Sequence, residues 1–155
     1  MGVTIRNGDI FSTQSQVIGH SVNTQGAMGS GFARSIRLMY PSVFNAYLDA
    51  CDNGILYGGQ CLMAVAEEYA GDSLRVVANI ASQVTPGANA RLDLLGEGLD
   101  NMFLQMKSLG LSSVALPRAG LMAGGLQQDE VLYVVKQTAT LHPDMDAEVW
   151  DFMVG

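Results

Sequence analysis

Two glycine-rich stretches stand out as candidate ligand-holding segments. The first is Gly26-Ala27-Met28-Gly29-Ser30-Gly31; the second covers residues 117–125 and includes Gly120, Gly124 and Gly125. Each follows an apolar run and precedes a segment with helical periodicity. That places both where open α/β sheets bind ligands. Glycine lets backbone amides turn toward an anion at close range, and a following helix start favours negative charge. Two such loops facing one crevice suit a ligand with a diphosphate. Glycines that only serve turns needing positive φ give the same local pattern. The spacing GxxGxG differs from the dinucleotide fingerprint GxGxxG, and GxxxxGK[ST] is absent, which disfavours a nucleoside triphosphatase.

Few side chains could do acid–base work. His20 could protonate a leaving oxygen or activate water; it could equally be hydrogen-bonded within its strand. Candidate carboxylate partners are few; Asp93 is one, and the sequence does not place it relative to His20. The other histidine, His142, stands beside Pro143 at a helix end and reads as a cap. Asp9 follows Asn7-Gly8 and reads as a turn residue; Asn23 reads as a cap on the end of its strand. Arg118 is expected to tie down its loop or a carboxylate. Cys51 and Cys61 lack metal-ligand spacing, so no metal site is expected, and both are read as buried thiols.

The elements that must position these residues alternate. Strands are predicted at 3–6, 16–22, 60–66, 75–80, 113–116 and 148–152, with 60–66 and 75–80 pairing as an antiparallel hairpin. Phe32, Ile36 and Met39 recur at helical spacing until Pro41 breaks the helix. A second helix follows, with Val43, Phe44, Tyr47, Leu48 and Cys51 inward and Gly54 as its stop. Leu92, Leu95, Leu99, Met102, Met106 and Leu109 mark a long amphipathic helix; Val131, Val134, Val135 and Thr138 mark another. The 83–89 and 117–125 segments read as loops. The expected fold is α/β: helices on both faces of a mixed central sheet, as one domain over residues 1–155.

With 155 residues, 48% hydrophobic and only 15% charged, the chain can bury a sizeable core and is not disordered. Its formal net charge of −7 argues against general nucleic-acid binding. No apolar stretch reaches membrane-span length, and the first ten residues do not resemble a secretory leader, so a cytoplasmic location without membrane contact is expected.

Gly8-Asp9-Ile10, the run from His20 to Ala33, and Pro117-Arg118-Ala119-Gly120 together resemble the macro domains, and the element order agrees along essentially the whole chain. The compact loop at 27–31 is similar to macro domains that remove ADP-ribose from DNA and to related hydrolases. His20-Ser21-Val22-Asn23 and Gly59-Gln60-Cys61-Leu62 are similar to macro domains that act as ADP-ribose-1″-phosphate phosphatases. The resemblance implies a three-layer α/β/α fold and ADP-ribose or a derivative as ligand, with an ADP-ribosylated macromolecule as a further partner and no cofactor. It assigns Asp9 and Ile10 to adenine, and Asn23 to the distal ribose or to orienting the first loop. Met28, Gly29, Ser30 and Gly31 fall on one side of the diphosphate, with Ala119, Gly120, Leu121, Met122, Ala123 and Gly124 on the other. Trp150 or Phe152, at the end of the last strand, could pack on adenine, and core burial is the alternative for both. It makes His20 the candidate catalytic residue for hydrolysis at the distal ribose. Non-catalytic readers share the same fold, and a different nucleotide ligand would use the same loops. The resemblance implies a lysine in hydrolytic relatives where Gln83 or Ser82 stands here, and in one branch an aspartate near Gly124, so that chemistry is not expected in this chain.

Overall fold

The computed structural model describes residues 2–29 and 31–151. Six strands form one sheet in the order β1-β6-β5-β2-β4-β3: β1 Gly2–Asn7, β2 Val17–Val22, β3 Cys61–Val65, β4 Val76–Ala81, β5 Ser113–Pro117 and β6 Asp146–Asp151. All neighbours pair in parallel except β3 with β4. The expected hairpin is therefore present, and it makes the sheet mixed. Every residue of β2 and β4 is buried, because helices cover both faces.

One face carries α3 (Leu92–Ser108) and α5 (Gln128–Thr140); the other carries α1 (Gly31–Met39) and α2 (Pro41–Asp52). Leu95, Leu99, Met102 and Met106 recur at helical spacing and form the core beneath α3 with Phe103. Gly98 lets α3 approach β4 closely, since a Cβ there would lie 2.5 Å from Ile80 Cγ2. Pro41 occupies the first turn of α2, where its missing N–H costs nothing, and Gly54 leaves the helix at φ +64°. Val43 and Tyr47 are buried as expected, while Phe44, Leu48 and Cys51 are only half-buried.

Several details depart from the sequence reading. The 117–125 segment is not all loop: α4 (Arg118–Leu121) forms one turn, closed by the Met122 N–H donating to Arg118 O. One turn is too short to show a period. A 3₁₀ turn at Ile10–Ser12 follows β1, capped by Asp9. The last strand begins at Asp146, and Phe152 lies outside the described residues, as does Ser30. His142 does more than end a helix. Its Nε2 lies 2.6 Å from Asp100 Oδ1 on α3, and its ring stacks on Phe103. Both cysteines are free; Cys61 is buried, and burial pushes its thiol well up, while Cys51 is half-buried. Among the described residues no helix is long and apolar enough to cross a membrane.

Candidate ligand crevice

Parallel strands β1, β6, β5 and β2 end on one side of the sheet, and the segments leaving them border two cavities. The first holds about 830 Å³. Its lining includes Asp9, Ile10 and Phe11 after β1, Phe32 and Ser35 on α1, Arg118, Ala119 and Met122 after β5, and Trp150 and Asp151 at the end of β6. The second holds about 420 Å³ and is lined by Ser21, Asn23, Ala27, Gly29 and Ala33, by Gln83 and residues 86–88, and by Ala123, Gly124 and Gly125. Phe32 and Met122 line the first cavity and their chain neighbours Ala33 and Ala123 line the second, so the two lie side by side, with a waist between them at these residues. Both glycine-rich segments thus reach one crevice.

The first loop is held from below. Asn23 Oδ1 accepts from the N–H groups of Gln25 (2.9 Å) and Ala27 (3.3 Å), while Asn23 Nδ2 donates to Ala27 O (2.8 Å). The Tyr47 hydroxyl donates to Asn23 O at 2.8 Å and lies 2.9 Å from its Oδ1. Met28 is 1% exposed and anchors the loop in the α1–α2 core. Gly29 lies at the surface, and a Cβ there would meet nothing within 4 Å. Gly31 opens α1 at φ +59°.

The second loop is packed more tightly. A Cβ on Gly120 would lie 2.6 Å from Pro117 Cγ and 3.2 Å from Phe32 Cβ. Leu121 is buried, and its carbonyl lies 3.5 Å from Ser21 Oγ. Gly124, at φ +88°, packs beneath Gln83 and Ala90, and its carbonyl accepts from the Ala90 N–H at 3.1 Å. Val84 O accepts from Thr24 N–H (3.0 Å) and Thr24 Oγ1 (2.9 Å). The 83–90 segment therefore ties the two glycine loops together around the second cavity.

Asp9 caps the 3₁₀ turn, its Oδ1 accepting from the Phe11 N–H at 3.0 Å, and it faces the first cavity. The turn role and a place in the cavity coexist. Arg118 Nε lies 2.9 Å from Asp151 Oδ1, so it holds a carboxylate as expected. Trp150 lines the cavity and donates from Nε1 to Glu148 Oε1 at 3.0 Å.

His20 is placed differently from the other candidates. It sits opposite Asn79 in the parallel β2–β4 pair, with Nε2 2.8 Å from Asn79 Oδ1. Asn79 Nδ2 donates to Leu62 O (3.1 Å), so Oδ1 is the acceptor and His20 Nε2 carries the proton. Nδ1 is buried without a hydrogen-bond partner, and the ring packs edge-on to Phe32. Burial pushes its pKa down to about 4, against the hydrogen bond to Asn79. The ring lines neither cavity. Asp93 is not its partner; it pairs with Arg91 at 2.6 Å on the exposed surface. Gln83 lines the second cavity and donates from Nε2 to Thr85 O (2.8 Å).

The structure thus brings Asp9, Ile10, Ala119 and Met122 to the first cavity and Asn23, Gly29, Ala123 and Gly124 to the second. Sequence reasoning missed Phe11, Ser35 and Gln128, which carry no local signal, and Asp151. Its position at the end of a central strand next to Trp150 could have marked it.

The M. tuberculosis DNA ADP-ribosyl glycohydrolase is 28% identical over 148 residues, 96% of this chain and 42% of that protein. The Thermus aquaticus protein of the same name is 27% identical over 92% of this chain and 39% of its own length. The chain therefore spans about two-fifths of these curated relatives. Among solved structures, the macrodomain of M. tuberculosis DarG matches with TM-score 0.84 and 25% identity, covering 96% of both chains. T. africanus DarTG, solved in complex with ADP-ribose, shares the fold at TM-score 0.80 and 22% identity, over 97% of this chain and 42% of that one. The macro domain family model matches residues 20–135. That span runs from His20 through both glycine loops and into α5, and the chain belongs to the macro domain family.

Proposed function

We propose that the chain binds ADP-ribose, free or attached to a macromolecule, with adenosine in the first cavity, the diphosphate across the waist and the distal ribose in the second. The observation that carries this reading is the waist itself, where the two glycine-bearing segments border adjacent cavities. In this assignment the Asp9 carboxylate accepts from the adenine amino group, the Ile10 amide faces a ring nitrogen, and Trp150 packs on the base. The loops that carry Gly29 and Gly31 on one side and residues 119–124 on the other present backbone amides to the diphosphate, which needs no arginine or lysine. Asn23 orients the first loop beside the distal ribose.

Hydrolysis at the distal ribose is the second reading, favoured by the names of the relatives and, for the phosphatase type, by His20-Ser21-Val22-Asn23. The lining of the second cavity favours the reader. Among its described residues none is a carboxylic acid, histidine, lysine or arginine. His20 contributes in this assignment by shaping β2 beneath Phe32. Calorimetric titration with ADP-ribose should give a Kd of order micromolar, about −8 kcal/mol. No heat at millimolar ligand would remove the binding reading. Stoichiometric protein mixed with ADP-ribose-1″-phosphate, and separately with an ADP-ribosylated DNA oligonucleotide, separates the two readings. A reader binds the modified oligonucleotide, ignores the unmodified one and releases no product; phosphate release restores the phosphatase, and release of ADP-ribose restores the glycohydrolase.

A further inference from the structure

We infer that the Arg118–Asp151 pair makes the first cavity selective for an adenosine ribose with free hydroxyls, against one phosphorylated at the 2′ position. This rests on the ADP-ribose reading above. Asp151 closes β6 opposite Asn7 of β1, and its carbonyl accepts from the Gly8 N–H at 2.8 Å, next to Asp9. Arg118 follows Pro117, whose strand partner is Trp150. The pair therefore bridges the ends of β5 and β6, with Asp9 on one side and the waist on the other. An adenosine reaching from Asp9 to the waist places its ribose over this pair.

The charges then decide the preference. Arg118 Nε approaches Asp151 Oδ1 at 2.9 Å but makes no aligned hydrogen bond. The contact holds the carboxylate by charge while leaving oxygen lone pairs for other donors. The Asp151 side chain is 31% exposed and lines the cavity. A carboxylate at that place accepts from ribose hydroxyls, whereas a free arginine accommodates a 2′-phosphate. Here the arginine is already engaged, and the cavity lining holds Asp9 and Asp151 against Arg118 alone. A phosphate dianion meets net negative charge.

The test titrates wild type, Asp151→Asn and Arg118→Gln/Asp151→Asn with ADP-ribose and with 2′-phospho-ADP-ribose. Melting curves confirm that each variant is folded, and the near-isosteric asparagine keeps the shape of the site. Wild type should prefer ADP-ribose by about tenfold or more, the weight of one charged hydrogen bond. Asp151→Asn releases Arg118 and should bind 2′-phospho-ADP-ribose at least as well as ADP-ribose. The double variant should lose that gain. Equal binding of both ligands by wild type, or an unchanged preference in Asp151→Asn, overturns the inference and leaves the ADP-ribose reading standing. Failure of wild type to bind either ligand overturns both.

Discussion

Asp9 has two jobs with opposite requirements. Its Oδ1 caps the Phe11 N–H, which any Asx side chain can do, while the proposed adenine contact needs a second acceptor. Asp9→Asn keeps the cap but presents an amide N–H₂ to the adenine amino group. Affinity for ADP-ribose should fall by about 1.5–3 kcal/mol, with melting temperature nearly unchanged. Inosine diphosphate ribose, which carries a carbonyl in place of the amino group, should bind the variant better than wild type does. His20 has a different signature. Its folded pKa of about 4 lies below the unfolded value near 6.5, so the unfolded chain binds more protons between those limits. Stability is full above pH 6.5 and falls as pH drops toward 4. Urea unfolding at pH 5 should show about 2 kcal/mol less stability than at pH 7.5. Carboxylates such as Glu148, which burial pushes up but donors from Thr13, Trp150 and Ser15 together with Arg6 hold below its ordinary value on balance, add their losses only at lower pH. His20→Asn should flatten the slope between pH 7.5 and 5; an unchanged slope would mean the ring is not the titrating group.

The two glycine loops differ in what their glycines do. Gly29 faces open space without positive φ, so Gly29→Val should leave the melting temperature nearly unchanged while blocking the waist and abolishing ADP-ribose binding. Gly120 is wedged between Pro117 and Phe32; Gly120→Val should destabilise the fold by about 1–3 kcal/mol through overpacking. A thermal melt of each variant, followed by titration, separates the roles. Retained binding in Gly29→Val would put the diphosphate elsewhere. The loops themselves were legible because glycine after a buried run is a strong local signal. So was the α3 core, where Leu95, Leu99, Met102 and Met106 repeat every three to four residues. The single turn of α4 was not, since one turn has no period, nor was the pairing of His142 with Asp100, which joins elements 42 residues apart. For His20 the structure takes the alternative in which the ring is hydrogen-bonded between strands, and the sequence could not choose between the two. Strand alternation fixes which face a side chain takes, but not whether Phe32 of the next helix will fold back to cover it.

At the scale of the whole molecule, the proposed amide contacts would let a chain of net charge −7 hold a diphosphate without recruiting arginine or lysine. The sheet order adds a constraint in time. β6 lies between β1 and β5, so the chain's first described strand waits for its last before it has a neighbour. Until β6 inserts, Asp9 has neither Trp150 nor Asp151 near it, and the first cavity lacks one wall. Closure of contacts so distant in sequence is a slow event in folding. A ligand that needs the closed cavity acts after that barrier on the way in and before it on the way out. ADP-ribose should therefore slow unfolding in proportion to its occupancy and leave the refolding rate where it was. The protein's only tryptophan, Trp150, sits at the junction and reports both rates.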